Sequence, residues 1–404
     1  MNKCTTLATV AVFGIFQSVN AQSAIPTRNL GPIEATAADS TGKLISIRTL
    51  SNGKVLVCDA MQYQIKLFDS TLSTPKIVQQ FSREQTSINL IPYRGDSTLY
   101  LDPSSRTFVL FDAEGRLVRV IALPRQQDAG YIMNSNVYGM QRSDQKGRII
   151  YRAFSPLPQP VPTPKYRLNN SSETDPLIRG DFELRSVDTI AKLQTGSRPK
   201  MTVAEDASGM PIVTARVNPI NRVDQWSMLS DGTIGIVRAN DYHIDWIEPD
   251  DSRRSTAKMP FAWVRLSDAD KQKRIDSIAA TYPTSGFGKV TDTYVQTSAA
   301  GMPQKGKQFL TWLALADVPD YEPAIDPGAV TADLNNHLWI LPRATGDVGD
   351  GGLLYDVVSR DGEIIERIRL PKGRQLLGFG PNNAVYLARV EKSGATFIER
   401  ARLK

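Results

Sequence analysis

The sequence contains few of the residues that most often carry out chemistry in proteins, with 2 cysteines and 2 histidines among 404 residues. Cys4 lies close to the N-terminus, and Cys58 lies inside the apolar run 55–58. A chain that had lost its first residues on export would keep one thiol, so it could form no internal disulfide. We expect Cys58 to be a buried, unreactive side chain.

Several motifs of known chemistry are also absent from the sequence. It has no Gly-x-Ser-x-Gly nucleophile elbow, no phosphate-binding loop and no dinucleotide-binding fingerprint. No cysteine and histidine cluster has the spacing of a zinc site. The sequence therefore predicts no metal ligand set, no cofactor and no catalytic residue.

Charge of one sign is not concentrated anywhere along the chain. The 48 basic and 42 acidic residues are interleaved and leave a formal charge of +6. A protein that binds nucleic acid is expected to carry a basic stripe, with aromatic residues or a recognised motif. We therefore predict no nucleic-acid partner.

The first 21 residues have the three parts of a secretory signal peptide. A positive start at Lys3 is followed by an apolar stretch from Leu7 to Phe16 and by small residues up to Ala21. We predict cleavage after Ala21, no membrane span in the mature chain, and a location in the periplasm or outside the cell. The alternative is a buried N-terminal strand or helix.

A repeated pattern of short strands and turns fills most of the remaining chain. It is clearest at residues 96–123, where three apolar strands are separated by turn residues. Comparable turns recur at Gly53, Ser97, Gly147, Gly232, Asn336 and Asn383. Where the chain has no insertion, the turns lie about 40–50 residues apart, as in propeller repeats.

Two insertions account for the longer intervals, a proline-rich loop at about 155–180 and a helical segment at about 262–285. The helix is predicted to begin after Ser267 as the N-cap and to end at Pro283. Residues 201–217 are predicted to form an extra hairpin. We expect residues 22–404 to form a single domain.

Six turns predict six repeat units, the last of which has only three strands of its own. Residues 29–36 would supply the missing fourth strand and so join the two ends of the chain without a covalent bond. The predicted fold is therefore an all-β, six-bladed β-propeller closed by an N-terminal strand, with one short inserted helix.

The repeats resemble those of secreted bacterial six-bladed propellers of the broad NHL and TolB-like kind. The resemblance lies in residues 52–59 with 65–69, in 99–102 with 108–115, and in 337–340 with 355–362. It covers most of the mature chain and implies the fold. Because one fold can carry many functions, it implies little about chemistry.

One polar and aromatic segment is the candidate ligand site. A concave site needs a few converging polar groups between aromatic walls. The predicted ligand-binding residues are Arg238, Asp241, Tyr242, His243, Trp246 and Arg343. The alternative is that Tyr242, Ile244 and Trp246 alternate onto a packed face of a strand.

Two further segments are predicted to be structural. His337 opens a strand after a turn and is expected to have no chemical role. The loop 347–352 is rich in aspartate and glycine but lacks the acid spacing and the final glutamate of an EF-hand calcium loop.

The sequence favours a monomeric binding or scaffold module that recognises a peptide, a glycan or a partner protein at the channel face. The alternative function is a metal-dependent hydrolase or lyase, similar to a lactonase, with Asn89, Asn136 and Asp224 as candidate groups in the channel. A third possibility is a purely structural role. Converging carboxylates in the channel would favour the enzyme, and an aromatic or basic bowl would favour the binding module.

Overall fold

The structure is a computed structural model. It describes residues 25–42, 44–59, 61–81, 89–102, 104–133, 141–153, 173–196, 199–281, 287–295, 303–343 and 351–403. The predicted leader, Asn136, most of the proline-rich insertion and most of the loop 347–352 lie outside these residues. The described residues form seven β-sheets, two α-helices and two 3₁₀ turns, Gln126–Asp128 and Leu315–Asp317.

Two short strands precede the first sheet, β1 (Thr27–Asn29) and β2 (Ala35–Thr36). Sheet 1 is an antiparallel meander of β3 (Leu44–Thr49), β4 (Val55–Asp59), β5 (Gln64–Phe68) and β6 (Lys76–Gln80). Sheet 2 repeats it with β7 (Ile91–Tyr93), β8 (Ser97–Asp102), β9 (Thr107–Phe111) and β10 (Leu117–Ala122). The three strands predicted within 96–123 are β8, β9 and β10.

Sheet 3 follows a short helix, α1 (Ala129–Met133), which the sequence did not predict. The sheet consists of β11 (Arg142–Ser143), β12 (Ile149–Arg152), β13 (Thr174–Asp181) and β14 (Ser186–Gln194). The hairpin predicted within 201–217 comes next as β15 (Lys200–Glu205) and β16 (Pro211–Val217). Sheet 4 contains β17 (Gln225–Met228), β18 (Ile234–Val237), β19 (Ile244–Ile247) and β20 (Arg253–Ser255).

The predicted helix is present as α2 (Asp268–Thr281). Ser267 caps it, because its Oγ accepts a hydrogen bond from the backbone N–H of Asp270 at 3.2 Å. The helix buries Ile275 and Lys271, and the Lys271 ammonium lies 2.7 Å from the Asp320 carboxylate. This ion pair ties the helix to the segment that leads into sheet 5.

A seventh sheet, here called the side sheet, joins the hairpin β15–β16 to two later strands, β21 (Val290–Val295) and β22 (Gln304–Trp312). Strands β16 and β22 pair in parallel, although the whole of sheet 4 lies between them in the sequence. The sequence predicted the hairpin but not the sheet that it belongs to.

Sheet 5 contains β23 (Ile325–Ala332), β24 (Leu338–Pro342), β25 (Leu354–Val358) and β26 (Ile364–Arg369). Sheet 6 contains β27 (Arg374–Gly380), β28 (Ala384–Val390) and β29 (Thr396–Arg402). Both sheets receive an additional strand from the N-terminal segment.

The N-terminal strand predicted over 29–36 was wrong as a single element. Strand β1 pairs in parallel with β26 of sheet 5, and β2 pairs antiparallel with β29 of sheet 6. Gly31 and Pro32 lie between the two strands. Proline has no backbone N–H to donate to a ladder, so a continuous strand is disfavoured there.

Five of the six predicted turn positions have the backbone conformation that a tight hairpin requires. Gly53, Gly147, Gly232, Asn336 and Asn383 all have φ between 57° and 94°. Glycine and asparagine are the residues that tolerate this region best. In sheet 2 the corresponding residue is Gly95, at φ 64°, and not Ser97.

The buried apolar side chains lie between neighbouring sheets. Between sheets 4 and 5, for example, Trp246 packs in one cluster with Leu338, and between sheets 5 and 6 the Trp339 ring lies 4.8 Å from Phe379. Comparable clusters join sheets 1 and 2, 2 and 3, 3 and 4, and 6 and 1. Each of these sheets therefore buries side chains on both of its faces.

Candidate functional site

A central cavity of about 340 Å³ lies where the first strands of sheets 1 to 6 meet. Its lining comes from strands β3, β7, β11, β17, β23 and β27 and from the residues that directly flank them. The side sheet contributes no lining residue among those described. The volume is within the usual range of small-molecule sites.

Arg48, on β3, is one of two cationic side chains on the cavity wall that form no salt bridge within the described part of the chain. Its guanidinium donates to two carbonyl oxygens, that of Thr49 and, at 2.9 Å, that of Gly95 on sheet 2. Asp96 is near enough to favour the charged form, but its carboxylate accepts hydrogen bonds from Ser51. Burial is the larger influence and lowers the pKa of Arg48.

Arg142, on β11, is the second such side chain. Its guanidinium donates to the Gln141 carbonyl oxygen at 3.0 Å, and no described carboxylate lies within ion-pair distance of it. Burial lowers the pKa of Arg142 to about 10, so the side chain remains charged at neutral pH. Arg142 is half-buried, and a partly desolvated cation without a salt bridge is costly to the folded state.

A third arginine, Arg94, lies on the cavity wall directly after β7. It donates to the Lys146 carbonyl oxygen at 2.6 Å and lies 3.4 Å from the Glu183 carboxylate. This side chain is about half exposed, so the ion pair contributes little. Arg48, Arg94 and Arg142 come from three successive sheets, and together they make that side of the cavity positive.

Asn89 lies two residues before β7, the first strand of sheet 2, and lines the cavity. Its side chain is buried, with 5% exposure. Its side-chain amide donates to the Gln141 Oε1 atom at 2.8 Å. The Asn89 Oδ1 atom and the Arg48 Nε atom are buried, and neither has a hydrogen-bond partner among the described residues. Buried polar atoms are nearly always bonded, so these two atoms of the wall are not satisfied by the described residues.

The two acidic side chains on the cavity wall are already engaged. Asp144 pairs with Arg148 at 2.7 Å. Asp333 is buried and accepts from the Trp339 indole N–H at 3.1 Å and lies 3.0 Å from the His337 ring nitrogen. Neither carboxylate neutralises Arg48 or Arg142. The Asp333 carboxylate orders the turn that holds His337, and the structural role of His337 stays a prediction.

Sheets 4 to 6 give the other side of the cavity an apolar lining. Leu229 and Phe379 are buried there, and Met228, Ala332 and Leu377 are half-buried. Of the described residues in these three sheets, no arginine or lysine lies on the wall. The cavity therefore has a cationic side, formed by sheets 1 to 3, and a mainly apolar side, formed by sheets 4 to 6. Apolar residues also line the cationic side (Ile47, Leu90, Pro92 and Tyr93), and three polar residues line the mainly apolar side (Ser230, Thr331 and Asp333).

The segment predicted from the sequence as the ligand site lies apart from this cavity, since none of its residues lines it. His243 lies between two carboxylates, 2.6 Å from Asp241 and 3.1 Å from Asp245. Arg238 bridges Asp245 and Asp224, each at 2.7 Å. These side chains form one network of hydrogen bonds and ion pairs, and each of them already has a partner within it.

Burial opposes ionisation of Asp245, but hydrogen bonds from Ser255 and Arg238 outweigh it and lower the pKa of Asp245. Asp224, predicted as a candidate group in the channel, is buried. Its carboxylate accepts hydrogen bonds from the Ala239 backbone N–H and from Arg238. It does not line the cavity, whereas Asn89 does.

The two aromatic residues of the predicted site are packed in the interior. Tyr242 and Trp246 are both 0% exposed, as is Ile244. This arrangement corresponds to the alternative in which the three side chains alternate onto a packed face. Arg343 lies in another region, where it pairs with Glu322 and, at 2.9 Å, with Asp326. Binding of a ligand by these residues stays a prediction.

Sequence reasoning missed the arginines, although a positional signal was present. Arg48 and Arg142 each lie five residues before a predicted turn, at Gly53 and Gly147. The corresponding positions before Asn336 and Asn383 are Thr331 and Gly378, and all four residues line the cavity. If the repeats are aligned on their turns, the position five residues before the turn identifies residues of the cavity wall.

Two further properties of the described residues bear on function. No three histidine, cysteine or acidic side chains come together there as a metal-binding group. Of the helices in the described ranges, none combines the length and the apolar character that a membrane span requires.

Four-stranded antiparallel sheets that follow one another along the chain and share one central cavity define a β-propeller. Comparison with protein-family models gives no match, and comparison with curated proteins gives none. The chain is similar in structure to a gluconolactonase from Xanthomonas campestris (9% identity, 93% of this chain and 97% of that chain, TM-score 0.41).

It is also similar to regucalcin, a calcium-binding protein from Agrobacterium tumefaciens (11% identity, 93% and 97% coverage, TM-score 0.41). A virginiamycin B lyase from Staphylococcus aureus has 10% identity, 91% and 98% coverage and a TM-score of 0.39. At these identities and TM-scores, no activity transfers from those proteins to this chain.

Proposed function

We propose that this protein is an exported binding module, a six-bladed β-propeller that holds a small acidic ligand in its central cavity. The observation that carries the proposal is the pair Arg48 and Arg142. Both line the cavity, and neither forms a salt bridge with any described residue. Guanidinium groups bind carboxylates and phosphates with strong, charge-assisted hydrogen bonds, so a bound acid would relieve the cost of burying them.

The blade count of six rests on sheets 1 to 6, each of which supplies the cavity with its first strand, while the side sheet supplies none. Contacts between sheets 6 and 1 support a closed ring. The Thr49 hydroxyl, for instance, donates to the Phe379 carbonyl oxygen at 2.6 Å. The pairing of β2 with β29 supports closure by an N-terminal strand. We propose that residues 22–404 form this single domain and that the side sheet and α2 are insertions in it.

The choice between a binding module and an enzyme was expected to depend on the groups in the channel. A basic bowl favours the binding module, and the wall that carries Arg48, Arg94 and Arg142 is basic. The alternative of a metal-dependent hydrolase or lyase needs ligands that converge on one ion. Elemental analysis of the purified protein tests it, since a stoichiometric divalent metal would favour the enzyme.

Calorimetric titration tests the proposed function directly. A chain that begins at Gln22 is titrated with phosphate, acetate, succinate and hexanoate. We expect at least one acid to bind, and we expect Arg48→Gln and Arg142→Gln each to weaken that binding by about 10- to 100-fold, the usual cost of a hydrogen bond to a charged group. Arg119→Gln is the matched control, because Arg119 lies exposed on the outer strand β10.

Two outcomes would overturn the proposed function. One is that no acid binds. The other is that binding persists unchanged in both cavity variants, which would place the ligand elsewhere on the protein.

Export is tested separately. The full chain is expressed in a bacterial host, and the periplasmic and extracellular fractions are analysed by mass spectrometry. We expect a mature protein that starts at Gln22. Protein that keeps residues 1–21 and stays in the cytoplasm would contradict the proposed location.

A further inference from the structure

The residues that line the cavity indicate which kind of acid would bind there. We propose that the ligand is an amphipathic carboxylic acid, with its acid group between Arg48 and Arg142 and its apolar body against sheets 4 to 6. This inference rests on the proposed function, because it assumes that the cavity binds an acid at all.

The first argument is the division of the wall. The described arginines of the wall come from sheets 1 to 3, whereas the apolar surface that sheets 4 to 6 present comes from the half-buried Met228, Ala332 and Leu377, backed by the buried Leu229 and Phe379. A small symmetrical anion would leave the apolar side in contact with water. A molecule with one charged end and one apolar end would cover both sides, and burial of each methylene group is favourable by the hydrophobic effect.

The second argument is that Asp333 and Ser230, two of the three polar side chains on the apolar side, are already bonded within the protein. The Asp333 carboxylate accepts from Trp339 and from the backbone N–H groups of Asn335 and His337, both at 2.9 Å. The Ser230 hydroxyl donates to the Asn336 side-chain oxygen at 2.6 Å. A polar ligand group would find no new partner in these atoms, so an apolar group suits this side better.

The third argument is rigidity. Phe379 is 8% exposed, and its ring packs at 4.8 Å against the buried ring of Trp339. Leu229 is 1% exposed. Side chains held in this way keep their positions when the cavity is empty, which lowers the entropic cost of binding an apolar body.

Gly378 offers a way to change the apolar side without removing a contact. It lines the cavity on β27, and a Cβ atom added there would meet only Ile47, at 3.8 and 3.9 Å. Its backbone is not among the positive-φ positions, so a larger residue introduces no backbone strain. Gly378→Leu would therefore take up cavity volume, and Gly378→Ala would take up less.

The test is a homologous series of probes measured by calorimetry on the chain that begins at Gln22. The probes are acetate, butanoate, hexanoate and octanoate, with hexanol, hexylammonium and phosphate for comparison. We expect affinity to rise by up to about 4-fold for each added methylene, which follows from the transfer free energy of a buried methylene. Hexanol and hexylammonium should bind at least 10-fold more weakly than hexanoate.

The cavity variants separate the two ends of the ligand. Arg142→Gln should weaken every acid of the series by a similar factor. Gly378→Leu should remove most of the gain in affinity between acetate and octanoate, and Gly378→Ala should remove less of it. Denaturant unfolding of each variant shows whether it is folded.

The outcomes distinguish this inference from the proposed function. If phosphate or acetate binds as tightly as octanoate and depends on Arg142, the amphipathic ligand is refuted and the proposed function stands. If hexanol binds as well as hexanoate, the acid group is refuted. If no acid binds, the proposed function itself falls.

Discussion

The unpaired arginine of β11 makes a prediction about stability that is independent of any ligand. Replacing Arg142 with methionine removes a charge from the cavity wall and keeps an unbranched side chain of similar length. Because the charge forms no salt bridge in the described part of the chain, its removal should stabilise the empty protein. A residue kept at the expense of stability is expected at a functional site.

The magnitude follows from the pKa. Burial lowers the pKa of Arg142 from 12.5 to about 10, and one pKa unit corresponds to 1.36 kcal/mol, so the charged state costs up to about 3 kcal/mol. Loss of the hydrogen bond to the Gln141 carbonyl oxygen offsets about 1 kcal/mol. We therefore expect Arg142→Met to raise the free energy of unfolding by roughly 1–2 kcal/mol.

Urea unfolding at pH 7, followed by tryptophan fluorescence, measures this change in a buffer that contains chloride as the sole small anion. Arg119→Met is the control, and it should change stability by less than about 0.5 kcal/mol because the residue is exposed. A loss of 1 kcal/mol or more in Arg142→Met would refute the reasoning. It would mean that the charged Arg142 side chain stabilises the empty protein, and the argument that it is kept there at a cost would then fail.

Three further predictions concern other parts of the fold. Burial raises the pKa of the Cys58 thiol to about 12, so a thiol reagent at pH 8 should label Cys58 only after unfolding of a chain that begins at Gln22. Asp333→Ala should cost about 2–4 kcal/mol in urea unfolding, because it leaves the buried Trp339 N–H unpaired. A hydrogen bond from Arg179 lowers the pKa of Asp251, so Arg179→Ala should destabilise the protein above about pH 4, and the difference from the wild type should vanish as the pH falls below that value. A difference that persists at pH 2 would contradict this last prediction.

Local chemistry could be read directly from the sequence. Glycine and asparagine at the turns, short apolar strands between them, and a serine cap before an acidic first turn all act within a few residues. For this reason the helix after Ser267 and the strands of sheets 1 and 2 could be predicted with nearly correct ends. The interruption at Pro32 was also visible in the sequence, but its consequence depended on which sheets were near enough to pair with β1 and β2.

The candidate site could not be read in the same way. An arginine, an aspartate, a histidine and two aromatics near one another in the sequence suggested a ligand site, yet Tyr242 and Trp246 are in the core, and His243 lies between the carboxylates of two neighbouring aspartates. Alternation along a strand sends adjacent residues to different environments, and only the packing of one sheet on the next shows which of them faces a cavity.

The sequence by itself determined the repeating unit of this protein, because turns, caps and strand patterns depend on neighbours a few residues away. Tertiary structure alone decided what the units build together. It paired β16 with β22 across a whole intervening sheet, and it brought Arg48 and Arg142 to one cavity from positions 94 residues apart. Contacts at that separation depend on where entire sheets pack, and no local pattern in the sequence encodes them.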